Sequence, residues 1–169
     1  MILIVVYLVA IVAANLLVAT YGPAVTIFNA FVFIALDLST RDALHERWKG
    51  RGLWWRMAAL IATGSGLSYI LNANAGPIAL ASFAAFAAAG VVDAITYTLL
   101  RDKAYLVKSN GSNVLSAAVD SVVFPAVAFG LPIMWSIVIG QFIAKVAGGF
   151  IWSLILNRAN KPANVLTVR

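Results

Sequence analysis

Apolar runs long enough to cross a bilayer recur along this chain, and clusters of turn-forming residues separate them. A helical crossing takes about 20 predominantly apolar residues. On that measure the spans fall at 2–19, 24–38, 53–71, 78–100, 113–130 and 133–157. The second is short, and the fourth and sixth are long enough to tilt. The breaks carry the expected turn chemistry: Tyr21-Gly22-Pro23, Asn74-Ala75-Gly76-Pro77, Asn110-Gly111-Ser112 and Gly130-Leu131-Pro132. The expected fold is all-α: one polytopic membrane domain over 1–169, with six transmembrane helices in a single bundle.

Composition agrees. The chain is 63% hydrophobic and 11% charged, and its mean hydropathy is +0.95, which excludes an ordinary soluble domain. There are no cysteines, so there is neither a disulfide framework nor a thiolate metal site, and a lone His45 builds no metal cluster. No cofactor is expected. The first apolar run has no basic leader and no small-x-small site followed by a polar chain, so it reads as a transmembrane helix rather than a cleaved signal.

The cations indicate orientation. Arg41, Arg47, Lys49 and Arg51 follow the second span; Arg101, Lys103 and Lys108 follow the fourth; Arg158, Lys161 and Arg169 end the chain. The alternate loops carry no Lys or Arg. The positive-inside rule then puts both termini in the cytoplasm. Trp48, Trp54 and Trp55 suit an interfacial belt, and the basic loop beside them is too short to suggest nucleic acid. His45 and Glu46 read as part of a solvated turn, and Asp102 beside Arg101 and Lys103 as a surface ion pair of little energetic value.

Asp37, Arg56, Asp93, Asp120 and Lys145 are ionisable residues inside these apolar spans. A charge at the bilayer centre costs roughly 2.5–3.5 kcal/mol on insertion scales, so it implies a polar partner or a wet cavity. Counting about 1.5 Å per residue puts Asp120 and Lys145 at one depth near mid-membrane, where they can pair. Asp93 lies slightly to the cytoplasmic side, and Asp37 and Arg56 lie near the cytoplasmic edge, where snorkelling lowers the cost. Helical spacing extends each charge into a stripe: Asn113, Ser116, Asp120 and Phe124; Ser82, Phe86, Gly90, Asp93 and Tyr97; Gln141, Lys145, Gly149 and Trp152. Rings for stacking beside carboxylates for N–H donors suit a planar, polar, heteroaromatic solute. The same stripes could serve packing alone. Small residues mark close helix approaches: Gly140, Ala144 and Gly148; Ala81, Ala84, Ala85, Ala88 and Ala89; Ala10 and Ala14.

Three segments carry a resemblance. FNAFVFIALDLSTRDAL (28–44) resembles the second-helix signature of the VUT family, the queuosine-precursor transporters: an aromatic-rich span ending in an Asp-Leu-x-x-Arg-like turn. ASFAAFAAAGVVDAITYTLLR (81–101) is similar to that family's fourth helix, and SNGSNVLSAAVDSVVFPAVAFG (109–130) to its fifth. Gln141 with Lys145 resembles the sixth helix, and Asn15 a Ser/Ala-Asn element near the end of the first. The resemblance runs from Asn15 to Arg158; the chain departs from it in a short N-terminus and short loops. It implies import of 7-cyano- or 7-aminomethyl-7-deazaguanine across the bacterial inner membrane. It also implies substrate contacts from Asn15, Asp37, Arg41, Asp93, Ser116, Asp120, Phe124, Gln141 and Lys145.

On this reading the base stacks on Phe86, Phe124 or Tyr97. Asp93 or Asp120 accepts its N–H groups, and Lys145 holds the other carboxylate ionised or donates to the carbonyl. A proton on one carboxylate could couple transport to a gradient. The expected partners are a small planar purine-like solute and the lipid bilayer, with a homo-oligomer left open and no nucleic acid. The chief alternative is the substrate-binding subunit of an energy-coupling-factor importer, which needs ATPase partners and could dock through Ala10 and Ala14. A membrane-embedded enzyme lacks its motifs here: there is no phosphotransferase run, no His-Glu-x-x-His and no Ser/His pair. A pore-forming lysis protein fits six spans with internal carboxylates poorly.

Overall fold

The computed structural model describes residues 1–48 and 52–159; for His45, Glu46, Tyr105, Asn157 and Ala159 only the backbone is described. Lys49, Arg51, Lys161 and Arg169 lie outside the described residues. Helix α1 spans Ile2–Tyr21, followed by a 3-10 turn at Gly22–Val25, a short α2 at Thr26–Asn29 and a π-helical turn at Ala30–Ile34. The same rod continues as α3, Ala35–Arg47. Then come α4 (Leu53–Leu71), a 3-10 turn at Ala73–Ala75, α5 (Gly76–Leu99), α6 (Tyr105–Phe129) and α7 (Trp135–Ala159).

Length and composition single out four stretches able to cross a membrane: Ile2–Leu44, Ala73–Leu99, Leu106–Phe129 and Trp135–Leu156. The first, at 43 residues, is not one straight rod. Gly22 adopts φ +67°, a conformation open to a residue without Cβ, and the chain doubles back there. The Asn29 amide donates to the Ala14 carbonyl at 2.8 Å; along a straight helix those residues would stand about 22 Å apart. Helix α4 falls outside the four because Arg56, Thr63, Ser65 and Ser68 dilute its hydropathy.

The breaks at Gly22-Pro23, Asn74–Pro77 and Gly130–Pro132 fall where the sequence places them. At Asn72 the side chain accepts from the Asn74 amide and caps the turn. Two boundaries differ. The second span does not end at residue 38, because its helix runs on to Arg47. Ser39, Thr40, Arg41 and Asp42 are therefore buried instead of looped. The Asn110-Gly111-Ser112 break does not exist, because α6 starts at Tyr105. Turn-type side chains there find partners instead of turning the chain: Asn110 donates to the Leu106 carbonyl and to Ser153, and Ser109 donates to Asp42. Lys108, expected in a loop, lies in the first turn of α6.

Polarity is arranged inside out. Side chains such as Ile2, Val9, Leu80, Ile139, Ile143 and Phe150 stand exposed, while Asn15, Asp37, Arg41, Asp42, Gln141 and Lys145 are buried. An apolar exterior around a hydrogen-bonded polar interior is the arrangement a hydrocarbon solvent demands. Helix α1 buries Tyr7, Ala10, Ile11, Ala14, Asn15 and Val18, one face at helical spacing. Ala81, Ala85 and Ala89 form a fully buried row on α5, and α5 and α6 share the most extensive helix interface. On α7, Gly140 meets Ile27, and Gly148 lies against the Phe31 backbone and Ala35. The small-residue row thus lets α7 pack closely on the π-helical turn. A core of Tyr7, Ile11, Leu44, Ile61 and Phe86 fills the centre.

Candidate solute site

Three polar clusters follow one another along the bundle. Nearest the Gly22, Asn74 and Gly130 turns, the Asn15 amide donates to Ser68 Oγ at 3.0 Å and its carbonyl oxygen accepts from Ser82 Oγ at 2.5 Å. One side chain thereby ties α1 to α4 and α5.

The second cluster is centred on Lys145, 1% exposed. Its ammonium donates to Asp120 Oδ2 at 2.5 Å, to Gln141 Oε1 at 3.0 Å and to Ser121 Oγ at 3.1 Å. All three donors of the group are used, which is what a buried ammonium requires. The equal depth read for Asp120 and Lys145 is therefore realised as a direct pair. Its partners on the facing atoms are left open: Asp120 Oδ1 and Gln141 Nε2 have no hydrogen-bond partner among the described residues, and neither has Asn29 Oδ1.

The third cluster lies toward the ends that carry Arg47, Arg101, Lys103 and Arg158. Arg41 Nε stands 3.4 Å from Asp93 Oδ2, and its Nη2 donates to Ser116 Oγ at 3.4 Å. Asp42 Oδ2 accepts from Ser109 Oγ at 2.5 Å and from Asn113 Nδ2 at 3.1 Å. Asp37 is fully buried near Tyr7, Arg41, Asp93 and Asp120.

The sequence candidates divide among these clusters. Asn15, Phe86, Asp120, Phe124, Gln141 and Lys145 line one small cavity, together with Asn29 and Ser82. Arg41, Asp93 and Ser116 assemble a turn or two away, and Asp93 pairs with Arg41 rather than with Lys145. Arg41 is a buried interior cation and not a loop charge. Asp37 is likewise interior and not at an edge where it could snorkel. Arg56 is exposed and lies over the Trp48 and Trp55 rings at 5.7 and 5.8 Å. Tyr97 sits beneath Lys108, whose Nζ is 4.9 Å from the ring centroid, and does not line that cavity. Asp102 does pair with Arg101 at 3.8 Å on the surface. Sequence reasoning passed over Tyr7, Asn29, Asp42, Ser109 and Ser121. A signal for Asp42 was present: Asp37, Arg41 and Leu44 continue a helical stripe with no breaker before Gly50.

The open groups around the central cavity are two acceptors and one amide donor, flanked by the Phe86 and Phe124 rings. That set matches an amide-like edge on a planar ring. Residues 2–157 match the family described as "Putative vitamin uptake transporter". The chain belongs to that family. Membership makes it a membrane transporter, consistent with its long apolar helices. No curated protein and no solved structure matches it.

Proposed function

We propose that this transporter imports 7-deazaguanine precursors of queuosine as a secondary transporter. Six crossings, counted with α4 and with both arms of the hairpin at Gly22, would leave both termini in the cytoplasm of a bacterial inner membrane. The observation that carries the substrate reading is the unpaired set of Asp120 Oδ1, Asn29 Oδ1 and Gln141 Nε2 on residues that share one cavity with Phe86 and Phe124. A deazaguanine presents ring and amino N–H donors beside a carbonyl acceptor, which are the complements of that set. The cavity there measures about 20 Å³, room for one water, so this conformation is closed and loading the base requires the helices to part.

Charge supports coupling to protons. Asp37, Asp42, Asp93 and Asp120 are buried against Arg41 and Lys145, leaving an excess of carboxylates over cations among the described residues. Uncompensated buried charge is costly, and bound protons would offset it. The docking face considered for the energy-coupling-factor alternative is not open: Ala10 and Ala14 are buried inside the bundle.

The test is rescue of a bacterium that can neither make nor import the precursors. Supplied with 7-cyano-7-deazaguanine, cells expressing this chain should regain queuosine in tRNA, and cells with Asp120→Asn should not. Queuosine absent from cells with the wild-type chain in their membranes would overturn the substrate.

A further inference from the structure

A second cavity, of about 220 Å³, opens between α4 and α5 on the basic-loop side of the central cluster. Its walls are apolar, with Met57 and Ile61 from α4 and Phe83 and Val91 from α5, but Arg41 and Asp93 also line it. Both of these are buried, and Arg41 Nη1 and Asp93 Oδ1 have no hydrogen-bond partner among the described residues. A guanidinium donor beside a carboxylate acceptor complements the carbonyl and N–H groups along the edge of a guanine-type base. The space is also adequate: a cavity of about 150 Å³ accepts benzene, so this one admits a bicyclic ring, whereas the central cavity does not. Phe86 lines both cavities.

We propose that the chamber between α4 and α5 is a second binding station for the transported base, with Phe86 as the partition between it and the Asp120–Lys145 site. This rests on the substrate reading above. The base passes from one unpaired polar set to another of similar chemistry, so desolvation is compensated at both stops. A lipid acyl chain would fill the apolar walls but leave Arg41 Nη1 and Asp93 Oδ1 unmatched, which disfavours it as the occupant.

Gly90 provides a clean test. It lines the chamber, and a Cβ added there meets no heavy atom within 4 Å, so Gly90→Phe fills the space without pressing on the backbone. Gly66 is exposed and equally open, so Gly66→Phe controls for a bulky ring. Two readouts are compared at matched membrane levels: queuosine rescue in cells, and equilibrium binding of labelled 7-cyano-7-deazaguanine to the purified full chain. Gly90→Phe should weaken binding of the base and reduce uptake, each about ten-fold or more, with Gly66→Phe as wild type. Gly90→Leu should give a smaller deficit, and it decides the matter if the Phe variant fails to reach the membrane. Wild-type uptake by either Gly90 variant would overturn the station and leave the substrate reading standing. So would a wild-type chain that binds one base while phospholipid co-purifies in the chamber. A wild-type chain that neither binds nor imports the probe would overturn the substrate reading and the station with it.

Discussion

Replacing Lys145 by Met tests whether the Asp120–Lys145 pair is a true energetic unit. Met keeps the length and the apolar stem but removes an ammonium that serves Asp120, Ser121 and Gln141 at 2.5, 3.1 and 3.0 Å. Removing one partner of a buried pair costs about 3–5 kcal/mol, because the other charge is left uncompensated. The two hydrogen bonds from the ammonium to the neutral acceptors Ser121 and Gln141 are the smaller contribution, since a side-chain hydrogen bond within a membrane averages roughly 0.6 kcal/mol. For a chain of this size about 2–4 °C accompanies each kcal/mol, so the melting temperature in detergent should fall by roughly 6–20 °C. Asp120→Asn should cost a similar amount by stranding the ammonium. The double variant removes both charges and should recover most of the loss, giving a coupling energy of a few kcal/mol in the double-mutant cycle. Additive losses in the double variant would refute the pair as the organising charge of the bundle.

Further outcomes follow from other contacts. Asn15→Ala leaves buried Ser82 without its acceptor and takes a donor from Ser68, which keeps its bond to the Gly64 carbonyl; it should cost about 1–3 kcal/mol and reduce uptake, whereas Leu16→Ala at the neighbouring position should leave uptake near wild type. Gly148→Ala should destabilise by about 1–3 kcal/mol, read as a lower melting temperature, because the added Cβ runs into the Phe31 carbonyl and Ala35. Asp42→Ala leaves Ser109 and Asn113 without their acceptor and should lose about 1–3 kcal/mol; Asp42→Asn keeps an acceptor and should retain most of that stability. Asp37→Asn removes one of the excess buried carboxylates; under the coupling proposal, solute exchange should persist while uptake stops responding to an imposed pH gradient.

The candidate site was legible in the sequence wherever an ionisable residue interrupted an apolar run. Asp93, Asp120 and Lys145 stand out because hydrocarbon tolerates them only with partners, and helical spacing extends them to Ser116, Phe124 and Gln141. The polar end of α3 was hidden by the same logic. Ser39, Thr40, Arg41 and Asp42 look like the start of a loop, because a hydropathy reading treats a polar run as leaving the membrane. Three of them stay in the helix on tertiary partners: Ser39 donates to the Gly149 carbonyl on α7, Arg41 meets Ser116 and Asp93, and Asp42 accepts from Ser109 and Asn113. Ser109, Asn110 and Ser112 were misread for the matching reason.

By itself, the order of residues determined the all-helical class, three of the turns, the small-residue row on α7 and four of the charges that must be compensated, Asp37, Asp93, Asp120 and Lys145. These depend on local chemistry: backbone satisfaction in hydrocarbon, glycine and proline at turns, and the cost of a lone charge. Only the tertiary structure decided who compensates whom. Asp93 takes Arg41, Asp120 takes Lys145, and Asp42 takes neutral donors. Pairing depends on how neighbouring helices rotate and slide against one another, and that is set by packing across the whole bundle at once.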